Sequence, residues 1–114
     1  MLQGIDALIT RMPGCCICIS TADCIPVLLY DRQRRIVAAV HAGWRGTVNR
    51  ILAKTLHRMQ SAYGTEGTDI IACIGPGISL DSFEVGDEVY EAFRTENFPM
   101  EYISYGSPKR TNTI

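Results

Sequence analysis

Short apolar runs separated by polar turns dominate the first half of the chain. Five of them have the length of β-strands, and they cover residues 6–10, 15–20, 26–30, 36–40 and 69–74. The runs are mostly apolar throughout rather than at alternate positions, which is typical of strands covered on both faces. A charged stretch separates the third run from the fourth, so we expect these two strands to form a hairpin.

The spacing of apolar positions becomes helical after residue 47. Apolar side chains then recur every three or four residues, at Val48, Ile51, Leu52, Leu56 and Met59. This period predicts an amphipathic helix over residues 48–62. Thr47 is the expected N-cap residue and Gly64 the expected C-cap residue.

The last third of the chain alternates strand-like and helix-like segments. We predict a short strand over residues 83–85, a helix over 87–94 and a final strand over 100–105. Residues 106–114 are polar and rich in structure breakers, so we expect a poorly ordered tail. Helices and strands are interspersed, which predicts an α/β or α+β fold; of the two we expect α+β, with a mixed, largely buried sheet covered by helices.

Length and charge narrow the class of protein. The 114 residues suit one domain, and a net charge of −1 predicts no broad surface for nucleic acid or an anionic membrane. The N-terminal residues carry neither a basic segment nor a long apolar one, so no secretory signal is predicted and a cytoplasmic location is expected. No apolar run is long enough to span a bilayer.

Five cysteines without an export signal argue against a disulfide framework. Cys15, Cys16 and Cys18 crowd one apolar run, and their spacing is not that of a structural zinc knuckle. We expect all three to be small buried residues of a strand, with Cys16 and Cys18 on the same face.

The pair Cys24 and His41 is the strongest candidate for chemistry. Cys24 precedes one strand of the predicted hairpin and His41 follows the other. Since the two strands run back over the same distance, both side chains are expected at one end of the sheet. A thiol and an imidazole suit either zinc ligation or a Cys-His nucleophile pair. The second histidine, His57, belongs to the predicted helix and is not assigned to the site.

Three neighbours of His41 are candidates for binding an anion or a substrate. Arg45 lies between Trp44 and Gly46, just before the predicted helix. A guanidinium beside a helix N-terminus favours phosphate or carboxylate. Trp44 would be a core residue or a pocket wall, and the flanking glycine would allow close approach of a ligand. Asp23 could orient His41, act as a base or cap a turn.

Four segments of the sequence closely resemble one known family. They are TADCIPVLL at 21–29, VAAVHAGWRGT at 37–47, IGPGI at 74–78 and FEVG at 83–86. They resemble the YfiH-like family, also called the polyphenol oxidoreductase or laccase-domain family. The resemblance implies a zinc-dependent purine nucleoside phosphorylase that acts on adenosine, inosine and guanosine. It also implies adenosine deaminase and methylthioadenosine phosphorylase side activities.

The resemblance implies a metal held by two histidines and one cysteine, of which Cys24 and His41 match two. The third ligand lies in a Gln-x-His-Gly segment that this sequence does not contain. The chain therefore resembles a partial domain over residues 1–105, incomplete at both ends of the family's layered architecture. We expect the missing ligand to weaken zinc binding and activity. Open sheet edges would allow homo-oligomers.

Other functions remain open at the level of sequence. Cys24 and His41 would also suit a metal-free hydrolase acting in peptidoglycan-precursor editing, with Cys24 as nucleophile. Copper oxidation of phenols is disfavoured, because two histidines cannot build a multicopper centre. The non-enzymatic alternative is a folded fragment without catalytic activity.

Overall fold

The computed structural model describes residues 5–106 and 112–113. The chain divides into two compact units, Met1–Gly77 and Ile78–Ile114, which are described separately. The single domain predicted over residues 1–105 stays a prediction. Most of the predicted tail, residues 107–111 and 114, lies outside the described residues.

The first unit is built on a four-stranded antiparallel sheet. Its strands are β1 Ala7–Thr10, β2 Ile25–Asp31, β3 Ile36–Ala42 and β4 Ile70–Ile74, in the spatial order β1-β3-β2-β4. These strands confirm four of the five predicted runs. The predicted hairpin is confirmed as well, because β2 and β3 pair along their full length.

Two consecutive helices follow β3. They are α1 Trp44–Val48 and α2 Ile51–Tyr63, and they meet at Arg50, whose φ of 57° is left-handed. The predicted helix is confirmed, but the predicted N-cap is wrong. Thr47 lies inside α1, because the helical turn begins directly after Gly43. Gly64 ends α2 with a left-handed φ of 73°, as expected for a C-terminal glycine.

The core of this unit lies between α2 and one face of the sheet. Met59 is fully buried and belongs to one cluster with buried residues of β2 and β3: Val27, Leu29, Ile36, Ala38 and Val40. Ile51, Leu52 and Leu56 pack against this cluster. The helical spacing in the sequence therefore marks the side of α2 that faces the sheet.

One carboxylate is buried at the end of β2. Asp31 accepts hydrogen bonds from Thr65 Oγ1 at 2.7 Å and from the backbone N–H groups of Gln33 and Arg34 at 3.0 Å. Burial alone would raise the pKa of Asp31, but these hydrogen bonds and the charge of Arg34 together lower it. The ionised Asp31 thus closes the charged turn between β2 and β3.

The opposite face of the sheet is partly exposed, whereas the sequence predicted strands buried on both faces. Leu28 and Tyr30 on β2 are 53% and 39% exposed, and Ile71 on β4 is 47% exposed. Residues 15–20 form neither helix nor strand, so the strand predicted there is wrong. Ile17 of this segment instead lines a groove on the exposed face of the sheet, together with Leu28 and Ile71.

The predicted burial of the three clustered cysteines depended on the same strand. Cys15, Cys16 and Cys18 are exposed, so the prediction that they are buried is wrong. The sulfurs of Cys16 and Cys18 lie 3.8 Å apart, although the strand whose face they were expected to share is not formed. The hydrogen bond to Cys18, followed by the charge of that thiol, raises the pKa of Cys16.

The second unit contains short elements around a small apolar centre. Its helices are α3 Asp87–Thr95 and α4 Met100–Ile103, and its sheet has β5 Glu84–Val85, β6 Tyr105–Gly106 and β7 Asn112–Thr113 in the order β5-β7-β6. Val85, Phe93 and Met100 are buried. The helix predicted over 87–94 is confirmed. The strand predicted over 100–105 is wrong for most of its length, because Pro99 starts a helical turn there.

Helices and strands together confirm the predicted α+β class. The expected mixed sheet is corrected, because every strand pair among the described residues is antiparallel. No helix among the described residues has the length and apolarity needed to cross a membrane.

Candidate functional site

The β2–β3 hairpin brings Cys24 and His41 to the same end of the sheet. Pro26 pairs with His41 across the hairpin, and Ile25 pairs with Ala42. Cys24 directly precedes β2, so it lies beside the end of β3 that carries the histidine. The expected placement of this pair is confirmed.

Gly43 lies between the two side chains. A β-carbon on this residue would stand 3.2 Å from the Cys24 sulfur and 3.6 Å from His41 Cε1. The thiol and the imidazole therefore converge on a space that only glycine leaves open. Both side chains are partly exposed, so a ligand or ion can reach them.

Asp6 holds His41 in two ways. The backbone N–H of His41 donates to the Asp6 carbonyl oxygen at 2.7 Å, and His41 Nδ1 lies 3.2 Å from Asp6 Oδ1. These contacts form because β1 pairs with β3 in antiparallel register, which places Asp6 beside His41. The sequence suggested Asp23 for this orienting role, whereas the structure places Asp6 there, which was not predicted.

Trp44, Arg45 and Gly46 form the first turn of α1. The Arg45 guanidinium stacks on the Trp44 ring, with its central carbon 4.5 Å from the ring centroid. A β-carbon on Gly46 would stand 3.3 Å from Ile51 Cγ2 and 3.6 Å from the His41 carbonyl oxygen. Gly46 thus permits close packing of α1 on β3 and α2.

The Gly75-Pro76-Gly77 turn packs on the start of β2. A β-carbon on Gly75 would stand 2.6 Å from Pro26 Cγ, and one on Gly77 would stand 2.8 Å from Ile25 Cγ1. The Gly75 N–H also donates to the Pro26 carbonyl oxygen at 2.8 Å. This turn supports the strand end that follows Cys24.

An apolar groove lies on the exposed face of the sheet. Its volume is about 460 Å³, and its lining includes Ile17, Leu28, Tyr30, Ile71 and Cys73. Its lining does not include Cys24 or His41, so the groove and the Cys-His pair are separate features of this unit.

The donor atoms of the pair fit part of a zinc site. A cysteine thiolate and a histidine nitrogen are ligands that zinc prefers, and zinc usually takes three or four protein ligands. Within the described part of the chain, no group of three or more His, Cys, Asp or Glu side chains is arranged to hold a metal. His57 is an exposed residue of α2, which agrees with its exclusion from the predicted site.

The chain is similar in sequence to one protein family and to several named enzymes. A family model described as multi-copper polyphenol oxidoreductase laccase matches residues 1–113. A protein of Bacteroides thetaiotaomicron named purine nucleoside phosphorylase is 64% identical over 104 residues, which are 91% of this chain and 38% of that protein. A prokaryotic protein named adenosine deaminase RL5 is 49% identical over 94% of this chain and 40% of its own length.

The solved structures agree with the sequence relatives. The crystal structure of the Bacillus licheniformis hypothetical protein YfiH superposes with a TM-score of 0.82 and 30% identity, covering 96% of this chain and 41% of that one. The chain thus spans about two fifths of the length of the proteins it matches.

Proposed function

Because the chain belongs to the multi-copper polyphenol oxidoreductase laccase family, we propose that its Cys24–His41 pair is part of the active site of a zinc-dependent purine nucleoside phosphorylase. The substrates would be purine nucleosides, such as adenosine, inosine and guanosine, together with phosphate. Several relatives carry the name purine nucleoside phosphorylase. Because the chain spans only part of their length, the activity is proposed for the site rather than for this chain in isolation.

The convergence of Cys24 and His41 on Gly43 carries this proposal. The Cys24 thiol and the His41 imidazole both lie next to the position that a β-carbon of residue 43 would occupy. Because glycine leaves that position empty, the two groups can share one ion there. Cys24 and His41 would hold zinc, and a third ligand would complete the site. When bound, zinc would supply positive charge that polarises the substrate.

The residues of α1 would act on phosphate. Arg45 presents a guanidinium, which matches the oxygens of phosphate in a bidentate manner. Its stacking on Trp44 would limit the freedom of the guanidinium before phosphate binds. In phosphorolysis a phosphate oxygen forms a bond to C1′ of the ribose, the bond from C1′ to the purine nitrogen breaks, and the base leaves with a proton.

A metal-binding assay and an activity assay test the proposal together. Titration with Co²⁺ as a spectroscopic substitute for zinc reports a thiolate ligand through its absorption. Phosphate-dependent release of hypoxanthine from inosine reports turnover. We expect Cys24→Ser and His41→Ala to lose the cobalt–thiolate absorption and any turnover, with Cys73→Ser as the matched control. Equal metal binding and turnover in Cys24→Ser and in the unaltered protein would contradict the proposal.

The Cys-His hydrolase alternative predicts a different pattern. A nucleophilic Cys24 would react rapidly with a thiol alkylator, and activity would survive a chelator. A zinc ligand would be protected by the metal and would become reactive after chelation. Cys73 is a useful reference for this experiment, because it is an exposed cysteine outside the candidate site.

Adenosine deamination is a second candidate activity of the same site. It is favoured by the 49% identity to the protein named adenosine deaminase RL5. Deamination releases ammonia from adenosine without phosphate, whereas phosphorolysis releases adenine and requires phosphate. Omitting phosphate therefore separates the two reactions in one assay.

A further inference from the structure

The contact between Asp6 and His41 is the most specific side-chain interaction at the candidate site. One residue binds both the backbone and the ring of the histidine, through its carbonyl oxygen at 2.7 Å and its carboxylate oxygen at 3.2 Å. The two residues are 35 positions apart in the sequence. The interaction is therefore tertiary and depends on the pairing of β1 with β3.

The two contacts fix different properties of His41. The backbone hydrogen bond extends the β1–β3 ladder to residue 41 and holds its Cα at the end of the strand. The side-chain contact acts on the ring, since a carboxylate accepts a hydrogen bond from an N–H group that it faces and so favours a proton on that nitrogen. A proton on Nδ1 leaves the lone pair on Nε2, the other ring nitrogen.

We propose that Asp6 is a positioning residue that keeps the proton of His41 on Nδ1 and so presents Nε2 as the ligand atom toward the metal. This inference rests on the proposed function for the metal itself, but the arrangement of the ring is independent of it. A carboxylate behind a ligating histidine sets the tautomer and the orientation of the ring. Asp6 would thus contribute to metal affinity without touching the metal.

Other acidic side chains nearby in sequence do not offer the same contact. Asp31 is engaged by Thr65 and by the charged turn, and Asp69 is engaged by Arg34. Asp6 is the carboxylate that the structure brings to the His41 ring.

Nitrogen-15 NMR of the imidazole rings tests the position of the proton without a metal or a substrate. At a pH where the ring is neutral, we expect the unaltered protein to carry the His41 proton on Nδ1. Asp6→Ala should shift that proton toward Nε2. Asp6→Asn should keep it on Nδ1, because the amide oxygen still accepts a hydrogen bond. The exposed His57 serves as an internal reference in each spectrum.

Metal titration gives the second readout. We expect Asp6→Ala to bind Co²⁺ about 10- to 100-fold more weakly, the range found when the partner of a metal-bound histidine is removed. Asp6→Asn should lose less Co²⁺ affinity than Asp6→Ala. Glu66→Ala, which removes an exposed carboxylate, should bind Co²⁺ as tightly as the unaltered protein does. Circular dichroism verifies that each variant is folded.

The two readouts separate the two proposals. If the unaltered protein binds no metal, the proposed zinc site fails, and the NMR spectra alone decide the role of Asp6. If Asp6→Ala is folded and shows the same His41 spectrum as the unaltered protein, the positioning role is overturned. Unchanged Co²⁺ affinity in Asp6→Ala, with tight binding by the unaltered protein, would overturn it as well.

Discussion

The Cys24 sulfur lies 3.2 Å from the point where a β-carbon on Gly43 would stand. Such a distance is shorter than ordinary van der Waals contact, so any side chain at position 43 must displace the thiol or the backbone. The same β-carbon would also contact the His41 ring at 3.6 Å. A side chain at position 43 would therefore crowd both candidate ligands.

We expect Gly43→Ala to lower the affinity of the protein for Co²⁺. The added methyl group would push the Cys24 thiol away from the point that it shares with His41. Co²⁺ affinity should fall at least about 10-fold, the lower end of the loss that follows disturbed ligand geometry. Gly67→Ala is the matched control, because its β-carbon would meet no atom within 4 Å. Equal Co²⁺ affinities for the two variants would contradict this role of Gly43.

Gly75→Ala should destabilise the first unit. Its β-carbon would stand 2.6 Å from Pro26 Cγ, and the proline ring cannot rotate away as a flexible side chain can. Overpacking of this kind costs about 1–3 kcal/mol. Urea denaturation followed by fluorescence would measure the loss, again against Gly67→Ala. A free energy of unfolding equal to that of Gly67→Ala would show that the turn moves away freely.

Met59→Ala should destabilise the first unit through a cavity. Met59 is fully buried between α2 and the sheet, and its side chain contacts the central apolar cluster. Truncation of a buried methionine costs about 2–5 kcal/mol. The exposed neighbour Arg58 provides the control, since Arg58→Ala should change the free energy of unfolding by less than about 0.5 kcal/mol. A similar loss of unfolding free energy in Met59→Ala and Arg58→Ala would contradict a core position for Met59.

The buried Asp31 predicts how stability depends on pH. Its pKa is lowered in the folded protein, so the unfolded chain binds the proton more readily than the folded one. The stabilisation is complete above the unfolded pKa of about 3.9 and is lost as the pH falls through the lower folded pKa.

Urea denaturation at decreasing pH measures this contribution. The unaltered protein should lose stability steeply below about pH 4, where unfolded aspartate takes up its proton. Asp31→Asn should be less stable at neutral pH and should show a shallower decline in acid. The matched control is Glu66→Gln, at an exposed position, which should keep the steep decline. A parallel decline in Asp31→Asn would assign the acid sensitivity to other carboxylates.

The proximity of Cys24 and His41 could be predicted from the sequence, because it follows from a local element, the β2–β3 hairpin. The hairpin could be found because a charged turn separates two apolar runs, and the hairpin alone brings Cys24 and His41 together. Asp6 could not be found in this way, since its approach to His41 depends on which strand pairs with β1. The signal was present only as a carboxylate directly before a strand.

Two segments differ from their predicted strands for different reasons. Residues 15–20 have strand-like composition, but Ile17 lines the groove on the exposed face of the sheet together with Leu28 and Ile71. Composition records apolarity but does not say which segments pair, which tertiary context decides. Residues 100–105 were predicted as a strand from composition, whereas Pro99 caps a short helix over Met100–Ile103.

The β2–β3 hairpin also determines when the candidate site can form during folding. Cys24 and His41 meet after closure of one short loop, which costs little chain entropy. Isolated hairpins form in about 1–10 μs, well before strands distant in sequence are expected to pair. Asp6 and the 75–77 turn reach the hairpin only through such distant pairings. The two candidate ligands can therefore be neighbours in a nascent chain before the groups that orient and support them arrive.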